Sequence, residues 1–267
     1  MKNKVIVWCL FDSGGGSYQQ AINKYFKNTL ESFSIGMDIE KNHSNFIHLD
    51  LGSIGELFDD HSMWLELDKL PLPHIILASP PCEAWSMASA IKGGGNNCWR
   101  SVGASSAIRT KAELDAINAT GTPYKRIYWK TKYRRLNAEA TAFNTLRIIE
   151  RYAPKVWVIE NPRTSQLWNY YEHVCSFKGF KNVAHYHAYD IENFSKKPTI
   201  FYSNRQLSLK TSKEKPKLFF KKCEAGLAGG RDISRSYNVR SRIPLKLIKD
   251  MLEQILKKEN QSFKNSS

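Results

Sequence analysis

No apolar run in the 267-residue sequence approaches the about 20 residues that a membrane-spanning helix needs, so a helical membrane anchor within it is excluded. Cysteine is scarce: Cys9, Cys82, Cys98, Cys175 and Cys223 are odd in number, widely scattered and form no C-x-x-C pair. That argues against a disulfide framework or a zinc ribbon. With no secretory leader ahead of them, the thiols read as those of a reduced, cytoplasmic protein. The seven histidines show no ligand spacing with nearby cysteines. His185-x-His187 would share one face of a strand, where packing is the expected role, and no metal is expected. Internal repeats are absent as well.

Negative charge is the minority: 25 Asp and Glu stand against 40 Lys and Arg, a formal net charge of +15. The usual partner of such a surface is a polyanion, nucleic acid first. The charge is also patterned. Residues 36–72 are acidic, whereas 125–135 and 205–222 are crowded with Lys and Arg. What is plentiful, 42% hydrophobic and 12% aromatic residues, suits one sizeable α/β domain.

Along the chain, residues 4–11 read as a bulky apolar strand that runs into Asp12-Ser-Gly-Gly-Gly16 and then a helix over 17–28. Further strands are expected at 34–38, 46–50, 74–79, 155–160, 183–188 and 199–203. Leu136, Ala140, Phe143, Leu146 and Ile149 recur at helical spacing, which predicts a helix over 136–152 packed on the sheet and ended before Pro154. A closing helix is expected over 244–256. Strands alternating with helices imply an α/β, doubly wound, mostly parallel sheet. Two stretches break the alternation. Residues 91–135 read as a long basic insertion with Trp99, Tyr128 and Trp129, and 204–236 as a small basic element; long loops in compact domains usually serve function.

Ligands of such sheets sit at the carboxyl ends of the strands near the switch in strand order. After the first strand, glycines let a backbone approach a ligand closely. After the second and third, Asp38 and Asp50 can accept from a ribose and an adenine amine, which describes a nucleoside-bearing cofactor. Ser79-Pro-Pro-Cys82 follows a buried strand, and two prolines hold the cysteine at the sheet edge. Val158-Ile-Glu-Asn-Pro162 brings a carboxyl group to the same edge. A thiolate and a carboxyl group together suit pyrimidine activation: sulfur adds at carbon 6, ring nitrogen 3 takes a proton, and carbon 5 becomes nucleophilic.

At these residues the sequence resembles the DNA cytosine-5 methyltransferases, in particular compact, phage-borne members. The matches come in order: Phe11-Asp-Ser-Gly-Gly-Gly16, Asp38, Asp50, Ser79-Pro-Pro-Cys82, Glu160-Asn-Pro162, Lys197-Pro-Thr199 and Arg240-Ser-Arg-Ile-Pro244. The departures are an extra Asp12 in the cofactor loop, Pro162 where the family has valine, and Lys197 with Thr199 at the paired-arginine motif. The resemblance implies a Rossmann-like fold, S-adenosylmethionine as cofactor and double-stranded DNA as partner, in the cytoplasm of a bacterial or phage-infected cell. A separate restriction nuclease would be a natural companion.

Carried over residue by residue, the resemblance makes Cys82 the nucleophile, Glu160 the acid and Lys197 the cation at the base. Phe11, Asp12, Ser13, Gly14, Gly15, Gly16, Asp38, Ile39, Asp50, Leu51 and Pro80 would surround the cofactor. It divides the chain into a catalytic and cofactor-binding part (1–203), a reduced target-recognition element (204–236), a returning helix (237–258) and a frayed tail (259–267). Lys125, Arg126, Lys130, Lys132, Arg134 and Arg135 are expected on phosphates. Two other readings stay open: methyl transfer to an exocyclic nitrogen of adenine or cytosine, and a nucleic-acid-binding homologue without activity. Nothing in the sequence sets the oligomeric state.

Overall fold

The computed structural model describes residues 4–12, 16–37, 45–87, 95–102, 105–121, 125–215, 220–222, 228–230 and 241–264. In chain order the elements are β1 (Val5–Leu10), α1 (Ser17–Tyr25), β2 (Leu30–Gly36), β3 (Phe46–His48), α2 (Ser62–Asp68) and β4 (Ile75–Ala78). After them come β5 (Trp99–Val102), β6 (Ser105–Ile108), α3 (Lys111–Ala119), α4 (Tyr128–Tyr152), β7 (Val156–Pro162), β8 (Phe180–His185) and β9 (Pro198–Ser203). The short strands β10 (Phe220–Lys222) and β11 (Ala228–Gly230) and the helix α5 (Leu245–Lys264) complete the described chain.

Seven strands form one sheet in the order β3-β2-β1-β4-β7-β9-β8. All neighbours are parallel except β9, which runs antiparallel to both β7 and β8. The protein is thus an α/β, Rossmann-like fold with a mostly parallel, doubly wound sheet. β1, β4 and β7 read as continuous apolar runs because helices cover both of their faces. Alternate residues feed two cores. Trp8, Leu10 and Ile76 pack with Trp64 of α2 and Ile148 of α4; Val7, Cys9 and Leu77 pack with Ile22 of α1 and Leu247 of α5.

Helix α4 begins eight residues earlier than its apolar spacing predicts, and it turns a different face to the sheet. Ala138, Thr141, Ala142, Thr145 and Ile148 are buried, whereas Leu136 and Phe143 are 43% and 50% exposed. Small side chains let the helix sit close to the strands, and closeness wins over bulk. Asn144 adds a polar tie, donating to the carbonyls of Leu51 (2.9 Å) and Ser53 (2.8 Å) in the loop after β3. The predicted strand at 183–188 is also displaced: β8 ends at His185, and Tyr186–Ala188 form a 3-10 turn.

The expected basic insertion is folded rather than open. It contains the β5–β6 hairpin, helix α3 with its Thr110–Glu113 capping box, and the first turns of α4. Its organising residue is Asn96, fully buried. The Asn96 amide donates to Ala84 and Ser86 carbonyls, both at 3.0 Å, and its Oδ1 accepts from the amides of Cys98 (2.8 Å) and Trp99 (3.0 Å). One side chain therefore joins the turn after Cys82 to the hairpin. Asn96→Ala leaves four backbone groups without this partner, and we expect a loss of roughly 2–4 kcal/mol in denaturant unfolding at unchanged activity-independent folding cooperativity. A loss below about 0.5 kcal/mol would show that the hairpin is held elsewhere.

Candidate active site

The chain leaves β1 toward β2 and β3, then returns to β4 on the other side, so the switch in strand order lies between β1 and β4. At this edge β1 is followed by Phe11, which takes a left-handed φ of 58° while its amide donates to the Ile35 carbonyl at 2.8 Å. The turn carries Asp12 inward. Its Oδ2 accepts from the Gln19 amide and the Ser34 hydroxyl, both at 3.2 Å, so the carboxyl group is committed to the start of α1. Gly16 is required beside it, because a Cβ there would lie 1.8 Å from Asp12 Oδ1. Burial pushes the Asp12 carboxyl up to about 7, against the lowering effect of the Gln19, Ser34 and Tyr18 hydrogen bonds.

At the end of β3, Asp50 is exposed and its Oδ1 accepts from the Gly52 amide at 2.8 Å. Leu51 next to it belongs to the core, 2% exposed, so only its main chain could face a ligand. Ser13, Gly14, Gly15, Asp38 and Ile39 lie outside the described residues.

At the end of β4, the Ser79 amide donates to the Leu10 carbonyl (3.1 Å), and its hydroxyl meets the Tyr18 hydroxyl at 2.9 Å. Pro80 is buried and its carbonyl accepts from Asn161 Nδ2 of β7 at 2.9 Å. The half-buried Cys82 then starts a tight turn, its carbonyl accepting from the amides of Trp85 (3.0 Å) and Ser86 (2.7 Å). Trp85, 1% exposed, anchors that turn by stacking on Trp99 of β5, centroids 5.4 Å apart.

Glu160 projects from β7, 7% exposed, and its Oε1 accepts from the Tyr186 hydroxyl at 3.0 Å. Lys197 stands just before β9 in a left-handed conformation, φ 26°, with Nζ 4.7 Å from the Tyr186 ring centroid. Both charges reach the Cys82 sulfur. Burial raises the thiol's pKa above its ordinary value and Glu160 raises it further, while Lys197 lowers it and Glu83 adds a smaller upward push. Three segments far apart in sequence thus converge at one edge.

Tyr18, Tyr186 and Asn161 belong to this site and were not among the residues expected there. Tyr186 was hidden because the run that contains it reads as a strand, and only the chain's turn at His185 brings its hydroxyl to Glu160. Buried acceptors without a partner mark the same neighbourhood: Asn161 Oδ1 and Gln19 Oε1. His185 and His187 stack 5.8 Å apart, and their ring nitrogens bond the Ser212 and Glu214 carbonyls, in keeping with a packing role. Among the described residues no group of side chains could hold a metal ion, and no helix is long and apolar enough to cross a membrane.

Of the basic residues expected on phosphates, several have partners within the chain. Arg126 Nε donates to Asn97 Oδ1 at 2.7 Å, Arg134 lies 3.6 Å from Glu83, and Arg135 pairs with Glu139 at 2.6 Å. Lys125, Lys130 and Lys132 are exposed.

No protein-family model matches the sequence, and no curated protein matches it. Among solved structures the chain is similar to a methyltransferase of Entamoeba histolytica, with 12% identity over 81% of this chain and a TM-score of 0.41. It spans 59% of that protein's chain.

The elevated Asp12 carboxyl makes stability depend on pH. Its folded pKa, about 7, exceeds the ordinary 3.8, so folding binds a proton between those values. The stabilisation it gives is complete below about pH 4 and is lost as pH rises toward 7, at up to about 1.4 kcal/mol per pH unit. Asp12→Asn should remove that slope, gaining stability relative to the unaltered protein across this window. Parallel stability curves from pH 4 to 7 would show that Asp12 ionises in the folded protein as freely as in the unfolded chain.

Proposed function

We propose that this chain transfers a methyl group from S-adenosylmethionine to carbon 5 of cytosine in double-stranded DNA, with Cys82 as covalent nucleophile. The observation that carries this reading is the convergence of a thiol, a carboxylate and a cation from the ends of β4 and β7 and the start of β9. The basic excess of the chain suits a polyanionic substrate, and the target base must leave the duplex to reach a half-buried sulfur.

The residues present fit the cofactor. Asp50 offers an exposed carboxylate at the end of β3, Phe11 an aromatic face at the end of β1, and Asn161 Oδ1 a buried acceptor without a partner beside Pro80. These, with the main chain around Gly16 and Leu51, would hold it. When bound, it supplies an electrophilic methyl group on a sulfonium. Asp12 fixes the turn beside it from within, through the Gln19 amide and the Ser34 hydroxyl.

Cys82 rests as a thiol, since burial and Glu160 both oppose its ionisation. As its sulfur bonds to carbon 6, the carbon 5–carbon 6 double bond opens and ring nitrogen 3 takes up a proton. Glu160 moves that proton, receiving it from the sulfur side and handing it to the ring, so charge balances through the step. Tyr186 donates to Glu160 and fixes which oxygen is turned to the base. Lys197 favours the thiolate by its charge and can meet the cytosine carbonyl, as a point charge rather than a fork. After carbon 5 gains the methyl group, water takes the carbon 5 proton, the electrons of that bond re-form the carbon 5–carbon 6 double bond and expel Cys82 as thiolate, and ring nitrogen 3 returns its proton through Glu160 to the sulfur.

Two measurements test this. DNA with 5-fluorocytosine at the target should trap a denaturation-resistant adduct on the protein, because fluorine cannot leave as the proton does, and Cys82→Ala should form none. Glu160→Gln should separate two readouts. Removing its charge lowers the thiol's pKa, so alkylation of Cys82 by iodoacetamide at neutral pH speeds up, while methyl transfer falls by about 100- to 10,000-fold. Slower alkylation in Glu160→Gln would sever the electrostatic link between the two residues.

A further inference from the structure

Helix α4 carries a second apolar stripe that the core does not use. Trp129, Tyr133, Leu136, Ala140 and Phe143 follow one another at spacings of four, three, four and three residues, the spacing of a helix–helix seam. The four large side chains are 57%, 67%, 43% and 50% exposed. Among the described residues none covers them. We propose that this stripe is a two-fold interface that joins a second copy of the chain, with the two α4 helices antiparallel and the axis at Leu136.

The pattern is self-complementary about that residue. Trp129 and Phe143 are equally far from Leu136 along the helix, as are Tyr133 and Ala140 to within a residue. An antiparallel pair therefore sets Leu136 on its own symmetry mate, the large Tyr133 on the small Ala140, and Trp129 on the region of Phe143. At Phe143 the surface is hollow. A cavity of about 410 Å³, lined by Ile54, Leu57, Met63, Trp64 and Phe143, opens there, larger than an indole ring requires. The exposed Trp129 of one copy thus faces the partly apolar hollow of the other, the self-matching that an isologous contact needs.

Charge points to the same arrangement. Residues 125–138 hold six cations and no carboxylate, and Lys130 lies over the Trp129 ring at 5.4 Å. The hollow's polar rim holds Glu56, paired with Arg147, and Asp60, with the exposed Asp59 beside them, so carboxylates outnumber cations there. Antiparallel pairing lays each basic half on the other copy's acidic rim and keeps the two basic halves apart. A polynucleotide would satisfy the cations and two rings but would leave Leu136, Phe143 and the acid-rimmed hollow uncovered. The second copy accounts for all of them.

The test is the mass of the full chain in solution, without DNA, by sedimentation velocity over a dilution series. A reversible dimer is expected. Leu136→Arg, at a position exposed in the single chain, sets like charges against each other on the axis and should weaken dimerisation by at least about 30-fold while circular dichroism melting stays unchanged. Leu136→Cys supplies a second readout that does not depend on weakening: the two introduced thiols meet at the axis, so mild oxidation should give a covalent dimer that the unaltered protein does not form. A monomer at every concentration overturns the proposal. So does a dimer that Leu136→Cys fails to cross-link, and so does a monomer in which Trp129→Ala lowers oligonucleotide affinity, which would give the stripe to nucleic acid.

Discussion

The hydrogen bond from Asn161 Nδ2 to the Pro80 carbonyl is the contact on which the candidate site depends. It ties the end of β7 to the end of β4, neighbouring strands whose chain positions lie about eighty residues apart. Proline supplies no amide of its own, so the Pro80-Pro81 segment cannot be held by strand pairing, and a side chain from the next strand does it instead. With Pro80 fixed from one side and the turn after Cys82 fixed by Trp85 from the other, the sulfur has little freedom left. Glu160 precedes Asn161 on the same strand. Any shift of the Cys82 turn is therefore a shift relative to the Glu160 carboxyl group.

A thiol kept protonated by burial and by a neighbouring negative charge is a poor nucleophile in the free protein. For the proposed chemistry that is an advantage. An exposed low-pKa cysteine would react with oxidants and electrophiles between turnovers, whereas this one gains reactivity only when a base accepts the proton that sulfur gives up. Lys197 limits how far the suppression goes. Its strained backbone and its seat over the Tyr186 ring show that the fold maintains a cation there at some conformational cost.

Much of this was legible in the sequence. Pro80-Pro81-Cys82 and Glu160 could be set at one sheet edge because apolar runs that end in such residues define where parallel strands stop. The switch point, and with it the neighbourhood of Asp50, followed from alternation of strand and helix. What could not be read depends on distance across the fold. Asp12 looks like a ligand residue in a glycine turn; only the closeness of Gly16 reveals that its carboxyl group folds back on α1. Helix α4 misled by size, since Leu136 and Phe143 mark a face as surely as Ala138 and Ala142 do, and the sequence has no term for how near a helix lies to a sheet. Tyr186 depended on where β8 stops, which no pattern of residues announced.

The antiparallel sense of β9 has a consequence for the segment that follows it. Ser203 leaves the sheet at the edge away from Cys82, yet Asn182 takes the Arg205 carbonyl, the His185 amide takes that of Lys210, and His187 takes that of Glu214, so the chain runs back along β8 toward the candidate site. It is next anchored where the Ile243 amide donates to the Ser17 hydroxyl at the head of α1, on that same edge. The two anchors on either side of the intervening stretch therefore lie at one rim. A change in the length of chain between two anchors at one rim costs loop-closure entropy, about 0.6 kcal/mol for each doubling, and leaves the seven-stranded sheet in register.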